Sequence, residues 1–231
     1  MARDFDGSND KVDFGDIGAL DTASNMTIML WFEPDTLAVS EVAICKVQAS
    51  NNRWLMQLSD TGLGGNDDVN VVLENGGNTY GYTTGDIIAT DVRNNWIMYF
   101  NGGGADNAAR LRFYFNGVSQ SLTYNGTMPT ILNLSTTNSV LVGIFEGDVV
   151  PIDGTIACVC IWEASLSQNE ITALNNGINP FAIRPDTLQI NSPLWGNESP
   201  EPNYANTIAG TVTEAARATP NPPFELMENY L

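Results

Sequence analysis

Short apolar runs alternate with polar, Gly- and Asn-rich turns from the start of the chain to about residue 162. The runs that read as strands cover residues 11–14, 26–32, 42–47, 54–59, 69–74, 79–83, 96–101, 111–116, 120–124, 139–145 and 155–162. A repeat of roughly ten residues with turn signals between is the pattern of an all-β sandwich or barrel. The segment Leu111-Arg112-Phe113-Tyr114-Phe115 alternates strictly, which predicts Leu111, Phe113 and Phe115 inward and Arg112 and Tyr114 outward. Asn75-Gly76, Asn101-Gly102, Asn116-Gly117 and Asn125-Gly126 supply the positive-φ residues that tight hairpins require.

The pattern changes period once. In Ser165-Leu166-Ser167-Gln168-Asn169-Glu170-Ile171, Ser167 is placed as N-cap and Glu170 as the reciprocating N3 residue of a capping box. Leu166 and Ile171 then form a hydrophobic staple across the cap, Leu174 follows on the same face, and Asn176-Gly177 stops the helix. Beyond Pro180, prolines at 185, 193, 200, 202, 220, 222 and 223 interrupt any periodicity, leaving apolar pieces at 187–190 and 207–212. The expected organisation is a sandwich over residues 1–180 and an extended Pro-rich arm over 181–231, packed on the sandwich or on a neighbouring subunit.

The 231 residues carry 9 Lys+Arg against 27 Asp+Glu, a net charge of −18. That excess argues against nucleic acid and against an anionic membrane as partners. With no histidine, a Ser-His-Asp or Cys-His nucleophile and a His-containing zinc site are impossible. The two lysines, Lys11 and Lys46, follow no Gly-rich phosphate loop. The opening Met1-Ala2-Arg3-Asp4-Phe5-Asp6 has no apolar core, so no secretory signal is expected, and the longest apolar stretches fall far short of the ~20 residues of a spanning helix. Cys45, Cys158 and Cys160 read as reduced thiols.

The order of the pieces carries more information than their composition. Phe5-Asp6-Gly7-Ser8-Asn9-Asp10-Lys11-Val12 opens the chain, and Met26-Thr27-Ile28-Met29-Leu30-Trp31-Phe32-Glu33-Pro34-Asp35 follows. Trp96-Ile97-Met98-Tyr99-Phe100 precedes Leu111-Arg112-Phe113-Tyr114-Phe115-Asn116-Gly117, and Gly154-Thr155-Ile156-Ala157-Cys158-Val159-Cys160-Ile161-Trp162 with the capped helix closes the series. Over residues 4–177 this resembles the laminin-G-like, concanavalin-A-like jelly rolls. The resemblance implies an all-β fold of two antiparallel sheets packed face to face, with one short helix, and a concave face that many relatives use for glycans. It fixes no function by itself, because the fold hosts lectins, adhesion modules, glucanases and structural domains.

Three departures from the family pattern follow. Where many relatives place an acidic residue of the closing strand near a structural calcium, this chain has Ala157, whose methyl cannot ligate a hard cation. The outward positions of that strand are Cys158 and Cys160, and a strand apolar on both faces is normally covered on both. Cys158, Cys160 and Trp162 are therefore expected at an interface, under the arm or a second subunit. The alternating carboxylates of the glucanase branch are missing from the sequence.

Candidate chemistry is sparse. Glu146-Gly147-Asp148 is the nearest approach to a pair of catalytic carboxylates, but Gly147 and the following Val149-Val150-Pro151 suggest a turn. Asp67-Asp68, beside Asn66 and Asn70, forms the other acidic loop. Calcium is the one cofactor the residues suggest, with Asp67, Asp68, Glu146 and Asp148 as candidate ligands and a solvated loop as the alternative. Asp6, Asp10 and Asp13 fail the EF-hand spacing and read as turn-formers, with a different calcium site as their alternative. For a glycan, Tyr80, Tyr82, Trp54 and Tyr124 are candidate platforms, Tyr80 and Tyr82 on one face of a strand, while Trp31, Trp96 and Trp162 read as core packing.

Three functions are compatible with these features. The first is a non-enzymatic accessory protein of a tailed-phage virion (a capsid decoration, head fibre or tail component), assembling with other virion proteins and with copies of itself. Ile183-Arg184-Pro185-Asp186-Thr187-Leu188 and Asn221-Pro222-Pro223-Phe224-Glu225 resemble tails found among such proteins. The second is a lectin-like adhesion module for a host-surface glycan. The third, a glycoside hydrolase, is disfavoured by the missing carboxylate array.

Overall fold

The computed structural model describes residues 2–37, 40–58, 68–85, 87–134, 137–195, 199–206 and 208–218. Their strands are β1 (Arg3–Asp6), β2 (Lys11–Asp13), β3 (Asn25–Pro34), β4 (Val42–Ala49), β5 (Asn52–Leu58), β6 (Val69–Asn75), β7 (Tyr80–Tyr82), β8 (Asn94–Asn101), β9 (Leu111–Phe115), β10 (Val118–Ser119), β11 (Thr123–Asn125), β12 (Val140–Val142), β13 (Asp153–Trp162), β14 (Leu188–Ser192), β15 (Thr211–Thr213) and β16 (Ala216–Arg217). They form two antiparallel sheets. The first runs β10-β9-β8-β3-β13-β1-β16 with β14 also paired to β13, and the second runs β11-β7-β6-β5-β4-β12-β2-β15.

The inner faces meet in the expected core. Phe5, Phe32, Trp54, Met56, Trp96, Phe100 and Phe113 are all fully buried there. Trp96 anchors it, with edge-to-face contacts to Phe32 at 5.2 Å and Phe113 at 6.0 Å between ring centroids. One charged side chain breaks the pattern. Lys46 lies on the inward side of β4 with no exposure, and its Nζ sits 2.6 Å from both Asp16 Oδ1 and Asp21 Oδ1. A buried ammonium is tolerable only with such partners, because unpaired it would cost several kcal/mol.

The expected turn chemistry is seen in the β6–β7 and β9–β10 hairpins, the first with Gly76 at φ 73°. Asn116 (φ 51°) and Gly117 (φ 77°) form the left-handed pair that joins β9 to β10. Asn101-Gly102 differs from expectation: Gly102 has no positive φ, but a Cβ there would lie 1.7 Å from the Thr130 carbonyl oxygen. Glycine is required at 102 for close approach, not for turn handedness. The predicted strand at 139–145 is shortened to β12 because Gly143 turns the chain at φ 92°.

The helix α2 (Gln168–Asn175) forms as read, with both bonds of the capping box in place and Gly177 at φ 84° beyond its end. Its Leu166, Ile171 and Leu174 pack on the outer face of the first sheet, over Ile97, Tyr99 and Tyr114. A single turn, α1 (Asn107–Arg110), capped by Asp106, precedes β9. Residues 183–193 and Ala205 complete the cover over the closing strand. Asn191 accepts a bond from Cys160 Sγ at 3.3 Å, Pro193 O accepts from Cys158 N at 3.1 Å, and Ile183 O accepts from Trp162 Nε1 at 2.8 Å. The arm enters the first sheet as β14 and buries Ile190 in the main core. Arg3 of β1 and Glu201 of the arm close a buried ion pair at 2.7 Å.

Candidate functional site

Alternation in the second sheet sends Trp54, Met56 and Leu58 inward and Arg53, Leu55 and Gln57 outward. Trp54 is thereby corrected as a glycan residue: it is fully buried between the sheets and no ring face is available. On the outer face, register aligns Gln57 with Asn70 and Asn70 with Tyr82, and the next row aligns Leu55, Val72 and Tyr80. Tyr80 and Tyr82 are both half-buried, with ring centroids 6.2 Å apart and planes tilted by 42°. Asn70 is only 3% exposed and its Oδ1 has no hydrogen-bond partner. One row further, Arg53 Nε holds Glu74 Oε2 at 2.7 Å and the guanidinium lies over the Phe145 ring. Burial pushes the Glu74 carboxyl above its ordinary pKa against the pull of Arg53.

Tyr124 lies apart from this pair. It points to the opposite side of β11, packs against the core, and its hydroxyl donates to Leu111 O at 2.9 Å. A Cβ at Gly81 would come within 3.0 Å of Leu122 and 3.3 Å of Tyr124, so glycine there lets both side chains settle against β7. Tyr124 and Leu122 form one wall of a cavity of about 380 Å³, whose remaining lining includes Arg112, Ser119, Gln120 and Ser121. It opens where the chain crosses from the edge of the first sheet to the edge of the second. Arg112 spends Nε on Ala108 O at 2.9 Å and stacks over the Tyr99 ring at 5.3 Å. The Tyr114 side chain, more than any other group, raises its pKa above the ordinary guanidinium value. Sequence reading passed over this cavity. Its one local signal was the polar run Ser119-Gln120-Ser121 directly after the Asn116-Gly117 turn.

The acidic candidates do not converge. Asp67 lies outside the described residues. Asp68 is buried and receives the Thr83 hydroxyl at 3.2 Å. Glu146, Gly147 and Asp148 form a turn, with φ 84° at Gly147 and 58° at Asp148, and Asp148 is held by Lys11 at 2.5 Å. Among the described residues no group of three or more Asp, Glu or Cys is arranged to hold a metal. Asp6 and Asp13 accept bonds from the backbone of Ser8 and Gly15, two residues on, and Asp10 accepts from Asp6 N. These carboxylates shape turns.

Of the two covers expected over Cys158, Cys160 and Trp162, the structure has the arm. All three are at most 2% exposed beneath the chain's own residues 183–193, so no second subunit is needed to shield them. Trp31, expected in the core, is half-buried on the outer face of the first sheet.

Two antiparallel sheets that carry β1 and β16 at the end of one and β2 and β15 at the end of the other, with a helix capping one outer face, define a lectin-type jelly roll. Residues 6–172 match the Concanavalin A-like lectin/glucanases superfamily, and the chain belongs to it. No curated protein matches the sequence. Among solved structures, a candidate carbohydrate binding protein from Bacteroides ovatus is similar over 96% of this chain with a TM-score of 0.70 and 15% identity. The present chain spans 60% of that protein's length. A heptameric SAP-like pentraxin from Limulus polyphemus is similar over 78% of this chain and 84% of its own, with a TM-score of 0.56 and 14% identity. The CBM40 domain of the Ruminococcus gnavus IT-sialidase, solved with α2,3-sialyllactose, is similar over 76% of this chain and 98% of its own, with a TM-score of 0.56 and 12% identity. At these identities the likeness is one of fold. No helix among the described residues is long and apolar enough to cross a membrane.

Proposed function

We propose that the protein is a non-enzymatic glycan-binding module whose platform is the Tyr80–Tyr82 pair on the outer face of the second sheet. The observation that carries this reading is the pairing of two half-exposed rings, 6.2 Å apart, with an adjacent row of amides at Gln57 and Asn70. Sugars present apolar C–H faces and hydroxyl edges, so an aromatic floor beside amide groups matches both halves of the ligand. Asn70 Oδ1 is an acceptor whose burial without a partner costs about 1–3 kcal/mol, and a sugar hydroxyl reaching it would recover part of that cost. The carbohydrate-binding descriptions of the Bacteroides and Ruminococcus structures support the same class of ligand.

The test is a glycan array with the intact chain, with and without calcium, followed by titration of any hit. Tyr80→Ala and Tyr82→Ala should each weaken binding by about tenfold or more, while Tyr82→Phe retains most of it. Silence across the array, or undiminished binding by the double alanine variant, overturns the proposal. The hydrolase reading has lost its best pair of carboxylates to a turn and to Lys11. The virion reading keeps the resemblance of its tail segments. The closing strand, expected under the arm or a neighbour, is paired with the chain's own arm, so it lends this reading no support.

A further inference from the structure

The cavity beside Tyr124 is lined by an arginine, Arg112, that has no acid beside it among the described residues. Among the described residues Arg3, Lys11, Lys46, Arg53, Arg93 and Arg184 each sit in an ion pair with a carboxylate. Arg112 does not, although acids outnumber bases 27 to 9. Among the described residues no carboxylate lies within ion-pair distance of it, and the charged-capable groups that act on it are the phenols of Tyr114, Tyr99 and Tyr124. Its orientation is fixed at three points, by the Nε bond to Ala108 O, by a hydrogen bond to the Tyr114 side chain and by the stack over Tyr99. The terminal amino groups carry its remaining donors, and the cavity it lines also presents Ser119, Gln120 and Ser121. A planar guanidinium held in place pairs best with a carboxylate, and hydroxyl and amide groups around it pair with ring hydroxyls.

We infer that this cavity is a subsite for an acidic monosaccharide unit of the hexuronate type, its carboxylate on Arg112 and its hydroxyls on Ser119, Gln120 and Ser121. A volume of about 380 Å³ lies at the small end of ligand pockets, which suits one sugar ring. The net charge of −18 repels a polyanion, so the ligand is an isolated acidic unit in an otherwise neutral glycan. The subsite lies on the other side of β7–β11 from the Tyr80–Tyr82 platform and does not depend on it.

Titration of the isotopically labelled full chain with glucuronic acid, glucose and acetate tests the assignment. Glucuronic acid should shift the amide resonances of residues 119–124, and glucose and acetate should each bind at least about tenfold more weakly, since each offers half of the complement. Arg112→Gln should weaken glucuronic acid by about tenfold or more. Arg112→Lys should lose most of the same affinity, because the charge stays but the planar fork does not. Should the arginine variants unfold, Ser121→Phe, which fills the cavity from an exposed position and leaves Arg112 in place, should abolish the shifts. Equal affinity for glucose, shifts centred on Tyr80 and Tyr82 instead of residues 119–124, or undiminished glucuronic acid binding by Ser121→Phe overturns the assignment. Loss of binding in Tyr80→Ala with the 119–124 shifts intact would separate the platform from this subsite.

Discussion

Ile190 of β14 offers the sharpest test of the arm as part of the sandwich. Its side chain is fully buried in the main core, although it belongs to the segment beyond Pro180. Ile190→Ala removes three carbons from that packed interior and leaves the β13–β14 backbone ladder intact. Truncations of this kind cost about 2–5 kcal/mol, the upper end where the site cannot collapse. Two sheets fix the walls around residue 190, which favours the upper half of that range. For a chain of this length the loss corresponds to a fall in Tm of roughly 5–15 °C. Urea unfolding gives the free energy, and reaction with a thiol reagent gives the location. Burial pushes the Cys160 thiol well above its ordinary pKa and Asn191 covers it, while Cys158 is buried beside it, so the native protein should label slowly at both. Ile190→Ala should accelerate that labelling, whereas Cys45, pushed up to about 12 on the other sheet, should stay protected. A cost below about 0.5 kcal/mol, the size of a surface substitution, with unchanged labelling would refute the docking of the arm.

Removing one partner of the buried pair between β1 and the arm, as in Glu201→Ala, strands Arg3 and should cost about 3–5 kcal/mol by chemical denaturation. Ser167→Ala should cost about 1 kcal/mol, because one half of the capping box goes while the Leu166–Ile171 contact stays. Burial raises the Glu41 carboxyl from 4.5 to about 7, and its Oε2 has no partner. The native state therefore holds a proton that the unfolded chain has released. The stability it contributes is complete below pH 4.5 and lost as pH rises through 7. Glu41→Gln should flatten that slope, and above pH 7 it should be more stable than the parent by no more than about 3 kcal/mol.

Strands whose alternation is strict, such as β9, and the helix with its cap were legible because each signal is local. Register, by contrast, decides what an alternating residue means. Trp54 and Tyr80 look equally available in the sequence, yet Trp54 shares a face with Met56 and Leu58 and is buried, while Tyr80 faces outward. Lys46 would be placed outward by any polar-out rule, and Asp16, Asp21 and the Ile17 carbonyl, some 25 to 30 residues earlier, make its inward position tolerable. β14 was hidden because Pro185 and Pro193 bracket a stretch with two apolar residues, Leu188 and Ile190. The Arg112 cavity was hidden because its walls come from both sides of a hairpin and from the facing sheet.

Both ends of the described chain finish on the same strand neighbourhood. β1 is paired on one side with β13 and on the other with β16, and Ala218 N donates to Ala2 O at 3.1 Å. A peptide of a few residues could therefore join Ala218 to Ala2 without crossing either sheet, and the chain could be reopened at Gly76-Gly77, where nothing lies within 4 Å of an added side chain. The described ends of the chain are thus neighbours in one sheet, and the order in which the strands are threaded is separable from how they pack.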